Sequence, residues 1–369
     1  MCRKPDIGQV RDAVGPGVHV SALEHPMVVA ALSRMASRGA WQCIIDERPL
    51  TDAIDLADAE LLVAAGAVTR VRNDTFRLAL TAPMYRDPEA VAESGLYVLR
   101  RALAHASGRA PGWGNEDPET VLAFGRVTGR GGDVIADELL PQLPAVETAF
   151  RAGSAAFLDI GVGVAAISIR LVGRYPGTRA VGLDVLPDVL ERAQSEVARS
   201  GLSDSIELRL QSVADLRDHS CFDLAWLPQG FIPRKAFLDG MPHVFNALKP
   251  GGALLVPVAL HSEMPEFARA RMIHSASLAG GSTITQSHLV ELLRATGFED
   301  LAEHPVGAQV LMTATKPVRR HGRGPARGTS TVAPRRGRSA HPVLPDDGTR
   351  AREAEAIPHN RARESRRLN

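Results

Sequence analysis

Aromatic side chains are scarce in this chain: three Trp, three Tyr and ten Phe, 4% of all residues. That scarcity argues against a large aromatic-lined pocket. Cysteine is scarcer still. Cys2, Cys43 and Cys221 are scattered and odd in number, which excludes a disulfide framework and a Cys-based metal spacing. Such usage suits a reducing cytosol. No apolar run approaches the roughly 18 residues that span a bilayer. The start, "MCRKPDIGQV", lacks the apolar core of a signal peptide. A cytoplasmic protein with no membrane partner and no metal is the expectation. Net charge is nearly missing as well, formally +1, so no general attraction to nucleic acid is expected.

The near-neutrality hides an asymmetry. Residues 317–369 hold thirteen Arg, no Lys and five acidic residues, a surplus of eight positive charges. They also hold six prolines and few large apolar residues, too little to offset the entropy of ordering. They read as a disordered tail. Residues 1–20 read as a loose lead-in. Between them the pattern changes once. Residues 21–112 show helical spacing in "HPMVVAALSRMASRGA" and "LTDAIDLADAELLVAAGAV", then two short strands around Asn73–Asp74. Helix, helix, helix, hairpin is the order of a winged helix. The next helix, residues 87–106, has an apolar stripe suited to a partner subunit. The run "SGRAPGWGNED" marks a boundary. Residues 113–316 begin with helical patterns to about 152. Strands near 155–160, 179–184, 205–211, 222–227, 253–259, 299–304 and 308–315 then alternate with helices near 163–174, 187–200, 233–248 and 286–296. Alternation of this kind means a parallel sheet covered on both faces, and the last two strands form an antiparallel edge hairpin.

The chemistry concentrates in "FLDIGVGVA", residues 157–165. Ligands of open parallel sheets bind beyond the carboxyl ends of the strands. Gly161 permits a sharp turn there, and Gly163 permits close approach of a ligand to the backbone. The spacing Gly161, Gly163, Ala166 fits a dinucleotide loop, with Asp184 about twenty residues on. It fits an S-adenosylmethionine (SAM) loop equally. Asp184, in "AVGLDVL", is placed to accept from both hydroxyls of a ribose in either case; otherwise it caps the next helix. Ser212 and Val213, at the end of the third strand, are placed for an adenine edge.

Four features favour SAM. Asp159 lies inside the strand end, where a buried carboxylate needs a partner. An ammonium or the loop's own N–H groups satisfy it, whereas a pyrophosphate would be repelled. "ALKPGGALLVP", residues 247–257, gives a helix end, a Pro-Gly-Gly turn and the fifth strand. "LLRATGFEDL", residues 292–301, precedes the edge hairpin. The glycine loop also lies behind a winged-helix-like module. Together with "FDLAW", these ordered motifs resemble the class I SAM-dependent methyltransferases over residues 155–316. The resemblance implies an α/β, Rossmann-like seven-stranded sheet in the order 3-2-1-4-5-7-6 with strand 7 antiparallel. It implies contacts from Asp159, Gly161 and Gly163 to the methionine part of SAM, from Asp184 to the ribose, and from Ser212 and Val213 to the adenine. Val185 and Leu227 are further candidates for the cofactor, and Arg126, just before the first strand, is placed either to pair with the cofactor carboxylate or to form a surface salt bridge. The winged-helix-like front end is the layout of small-molecule O-methyltransferases, in which that part dimerises and covers the substrate.

One feature departs from that family. The histidine common after the fourth strand is missing from "FDLAWLPQGFIPRKAF". Gln229 and His261 are the remaining candidates near the methyl group, beside readings as an ordinary loop residue and a structural histidine. The expected function is methyl transfer to an oxygen or nitrogen of a small molecule, driven by positioning. The alternatives are a SAM-binding regulator without catalysis and an NAD-dependent oxidoreductase. A specific DNA reading fails on "LADAELLVAAGA", which has no Lys or Arg for phosphates.

Overall fold

Helix starts are well marked in this sequence. In the computed structural model, which describes residues 25–80, 83–261, 264–306 and 309–318, α1 (Pro26–Ser37), α2 (Ala40–Ile45) and α3 (Ala53–Ala64) come first. Asp52 caps α3 by accepting from the N–H groups of Ile54 and Asp55. The strands β1 (Val68–Arg70) and β2 (Phe76–Leu78) then pair as an antiparallel hairpin. Trp41, Met35, Ile44, Leu62 and Phe76 are fully buried between these elements. Two Asp-Pro pairs start the next helices, α4 (Pro88–Ala106) and α5 (Pro118–Val134). In each, the aspartate caps the first turn and the proline occupies a position that needs no N–H donor. All described residues belong to one compact unit. The expected lead-in, and the tail beyond residue 318, lie outside the described residues.

After α6 (Pro144–Arg151) the chain alternates: β3 (Ala156–Ile160), α7 (Ala166–Arg174), β4 (Arg179–Asp184), α8 (Pro187–Arg199), β5 (Ile206–Leu210), β6 (Phe222–Trp226), α9 (Arg234–Ala247) and β7 (Leu248–Val258). Then come α10 (Glu266–Ala279), α11 (Gln286–Thr296), β8 (Glu299–Val306) and β9 (Gln309–Thr315). The seven-stranded sheet has the order β5-β4-β3-β6-β7-β9-β8, with β9 antiparallel to both neighbours. This is the order 3-2-1-4-5-7-6. Side chains alternate across it, as the strand period of two requires. Phe157, Leu224 and Leu255 pack with Phe150, Leu171 and Ala193 on one face. Leu158, Ala225 and Leu254 pack with Phe237, Met241 and Leu289 on the other. Full burial of such a side chain is worth about 1.5–3 kcal/mol.

Two elements differ from the sequence reading. The fifth sheet strand starts at Leu248, not 253. The Pro-Gly-Gly segment is absorbed as an irregularity between the pairs Phe222↔Leu248 and Leu224↔Ala253. Lys249 reaches back to Asp223, whose Oδ2 also accepts from the N–H of Ala156. Helix α10 was not expected, because "EFARARMIHSASLA" has no apolar stripe; among its residues only Ala276 and Ala279 are buried.

The junction between α5 and α7 positions the site. Gly125, Gly129 and Gly132 share one face of α5, at spacings of four and three. A Cβ on Gly125 would collide with the Val164 side chain. One on Gly129 would lie 3.1 Å from Ala166 Cβ, and one on Gly132 would lie 2.8 Å from Arg170 Cβ. The glycines let α5 press its backbone directly on the start of α7.

Candidate functional site

The loop after β3 turns through two left-handed glycines, Gly161 (φ 67°) and Gly163 (φ 56°), and a left-handed Ala165 (φ 62°). A Cβ on Gly163 would meet nothing within 4 Å, so this position faces open space. Asp184 at the end of β4 clamps the loop. One carboxylate oxygen accepts from Gly163 N–H at 3.1 Å, and the other accepts from Val185 and Leu186 N–H at 2.8 and 3.1 Å. Asp184 is not the cap of α8, whose N-cap position is Leu186. A carboxylate has about four acceptor sites, so Asp184 keeps capacity for a ligand hydroxyl.

Asp159 lies behind the loop, 2% exposed. Its Oδ2 accepts from Ser168 Oγ at 2.7 Å. Burial pushes the Asp159 carboxyl up to about 7; Ser168 pulls against that, and the nearby Asp184 adds to it. Burial raises Asp184 as well, against the pull of its three backbone donors. Both carboxylates line a cavity of about 450 Å³ over the glycine loop, and among the described residues no Lys, Arg or His lines it. Such a cavity favours a cationic ligand and disfavours a pyrophosphate.

Beyond β5, Ser212 accepts from Ala214 N–H and starts a short 3-10 turn. Val213 in that turn is buried against α9, where a Cβ on Gly240 would lie 2.7 Å from its methyl groups. Both residues line the cavity, together with Val185 and Gln211.

The other end of the cavity is aromatic. Trp113, Phe124 and Phe231 line it with ring centroids 4.8, 5.1 and 5.8 Å apart, and Tyr97 packs on Phe124 at 5.0 Å. Trp226 borders the same space. Five of the chain's sixteen aromatics thus meet here, contrary to the expectation from composition. Behind Trp113 stands a buried ion pair. Arg101 of α4 donates to Glu116 Oε1 at 3.2 Å and to Tyr97 Oη at 3.1 Å, and its guanidinium lies 5.8 Å from the Trp113 ring. The Glu116 side chain is 1% exposed, and Arg109 and His105 lie 3.5 Å from its carboxylate. Arg101 also reaches Ser275 of α10 at 3.4 Å. One arginine therefore ties α4, the 107–117 segment and α10 together at the cavity roof.

Four candidate residues lie elsewhere. Arg126 pairs with Glu93 and lines a separate cavity of about 390 Å³, across a wall shared by Gly125, Val164 and Ala166. Leu227 is fully buried in the core beside α9, because β6 turns its side chain inward there. Gln229 is 1% exposed and spent on backbone: Nε2 donates to Pro257 O at 2.7 Å, and Oε1 accepts from Ile284 N–H at 2.8 Å. His261 follows β7, and its carbonyl accepts from Met264 N–H; it does not line the cavity. Ser168, Phe124, Phe231 and Trp226 were not singled out from sequence. Ser168 carried a signal, since it falls one turn into the helix that follows the glycine loop.

Comparison with known proteins agrees with this geometry. Residues 157–252 match the family described as "Methyltransferase domain". The release factor glutamine methyltransferase of Agrobacterium fabrum is 39% identical over 75 residues, 20% of this chain and 25% of that protein. The chain thus matches about a quarter of that curated relative's length. Among solved structures, the SAM-dependent methyltransferase SibL is similar over 81% of this chain and 98% of its own, with TM-score 0.55 and 20% identity. Human N-acetylserotonin methyltransferase in complex with SAM is similar over 83% of this chain and 100% of its own, with TM-score 0.51 and 18% identity. An O-methyltransferase family protein from Burkholderia thailandensis covers 79% of this chain and 95% of its own, with TM-score 0.51 and 17% identity. The chain has the fold of the class I methyltransferases.

Proposed function

We propose that the chain transfers a methyl group from SAM to an oxygen or nitrogen of a small molecule. The observation that carries this reading is the pair of carboxylates, Asp159 and Asp184, in a glycine-loop cavity without a cation. SAM has an ammonium and a sulfonium, and it lacks the pyrophosphate that this cavity would repel. The residues fit it in order along the cleft: Asp159 behind the loop for the ammonium, Gly163 for close approach, Asp184 for the ribose hydroxyls, and Ser212 with Val213 for the adenine.

Bound SAM supplies a methyl group already activated on sulfur. The protein's task is then to hold the acceptor in line, and positioning of this kind supplies roughly 7–11 kcal/mol of barrier reduction. The wall of Trp113, Phe124 and Phe231 suits a flat apolar acceptor. Asp159 and Asp184 are the ionisable side chains that line the cavity, and both stand at its cofactor end. That arrangement fits a nucleophile that ionises by itself or an amine already neutral. It is also the observation that favours a second reading, a SAM-binding regulator without turnover.

Calorimetric titration with SAM, S-adenosylhomocysteine and NAD tests the reading. The first two should bind and NAD should not; NAD binding without SAM binding would refute it. Turnover of radiolabelled SAM with a panel of phenols and aryl amines separates enzyme from regulator.

The front helices are read as a winged-helix-like module to about residue 112, followed by the catalytic domain to about 316. A homodimer through α4 is supported by Leu96 and Leu103, two turns apart on one face and 40% and 69% exposed. Light scattering of the purified chain checks it. Among the described residues no helix is long and apolar enough to cross a membrane, and α3 offers no Lys or Arg to phosphates. Both facts accord with a cytoplasmic enzyme of small molecules.

A further inference from the structure

Ser168 stands in the first turn of α7, fully buried, and the cofactor reading gives it no role. Its hydroxyl is the side-chain donor to Asp159, and its backbone N–H also favours the charged carboxylate. The charged groups of the surrounding elements point elsewhere. On α7, Arg170 and Arg174 turn outward to Asp133 and Asp137. On α5, Arg126 and Arg130 are held by Glu93 and Asp87. On β6, Asp223 sits at the far end of the strand with Lys249. From β4 comes Asp184, a like charge held by backbone donors. A buried carboxylate beside a second carboxylate, with donors from Ser168 alone, holds its proton up to about pH 7 in the free protein.

We propose that Ser168 is a positioning residue for the cofactor: its hydroxyl orients Asp159 and favours the charged form that receives the ligand's ammonium. The inference rests on the placement of SAM in this cavity. Binding is then an exchange. The ligand ammonium takes the place of the Asp159 proton, which leaves to solvent, and no other bond changes. Burial that holds Asp159 protonated to about pH 7 makes this exchange visible near neutrality. Without the Ser168 hydroxyl the proton is held more tightly, and binding needs a higher pH.

The test is calorimetric titration of the full chain with S-adenosylhomocysteine between pH 5.5 and 8.5, in two buffers of different ionisation heat. For the wild type, affinity should rise by up to about tenfold per pH unit toward 7 and then level off. Near pH 6 the buffer comparison should show release of about one proton per ligand. In Ser168→Ala the levelling point should move up by about one unit, leaving affinity several-fold weaker at pH 7 but nearly restored at pH 8.5. Ser168→Thr should return the profile toward the wild type. Asp184 does not touch Ser168 and is present in both proteins, so the difference between the two profiles reads the Ser168 hydroxyl. A Ser168→Ala profile that superposes on the wild type would overturn the inference. So would an equal loss at every pH, which marks a merely structural role. A wild type that binds nothing at any pH would instead overturn the cofactor placement itself.

Discussion

The two ends of the cavity are built on opposite plans. The cofactor end consists of backbone and two buried carboxylates, drawn from the ends of neighbouring strands. The acceptor end consists of aromatic rings from three segments far apart in the chain, with its charges kept behind the wall in the Arg101–Glu116 pair. In the proposed function the first end would recognise by charge and close approach, and the second by shape and apolar surface. The two tasks are thus separable by mutation, and the roof and floor can be broken one at a time.

The largest effect is expected at the floor. Asp159→Asn should abolish measurable S-adenosylhomocysteine binding in calorimetry, because the ammonium loses its counter-charge. The same change should stabilise the free protein at pH 8. The folded-state pKa of Asp159, about 7, lies above the ordinary value of 3.8. The stability contributed by its protonated form is full below pH 3.8 and is lost as pH rises through 7. That loss is on the order of a few kcal/mol, and asparagine does not suffer it. Urea unfolding at pH 4 and pH 8 checks this: the gain should be present at pH 8 and vanish at pH 4.

The roof should respond differently. Glu116→Gln leaves the buried Arg101 guanidinium without its counter-charge, which costs about 3 kcal/mol by the general behaviour of broken buried pairs. Trp113 then loses its brace. Binding of 1-naphthol, a flat aromatic probe, should weaken about tenfold in calorimetry, while S-adenosylhomocysteine affinity stays within about twofold. A parallel fall in both affinities would show that the two ends do not separate.

The smallest effect is expected at Arg126. Its pair with Glu93 is half-exposed, and such pairs are worth about 0–1 kcal/mol. Arg126→Ala should leave S-adenosylhomocysteine affinity within about twofold. A tenfold loss would return this residue to the cofactor site.

The two ends also differ in how far the sequence discloses them. Asp159, Gly161, Gly163 and Asp184 are legible because a strand, its loop and the next strand end are short and regular, and topology brings them together. Sheet order came instead from the family that the ordered motifs resemble. Trp113, Phe124 and Phe231 share no local pattern; their meeting depends on how the 107–117 segment, α5 and the 228–232 loop stack. Gln229 shows the limit of topology. Its loop does face the cleft, yet the side chain turns inward, donating to Pro257 O and accepting from Ile284 N–H. Helix α10 was hidden because few of its residues are buried, so no stripe marks it.

The glycine row on α5 has a mechanical meaning. Helices separated by a layer of side chains can slide by an ångström or two. Between α5 and the start of α7 there is no such layer, so the pair moves as one plate that carries the glycine loop with it. Glycines also gather on the opposite side of the cavity. Gly112 (φ 113°) and Gly280 (φ 78°) border it there, and Gly230 and Gly281 meet backbone to backbone beside them. Both sides are thus closed by backbone in direct contact, and a side chain added at either seam would push the walls apart.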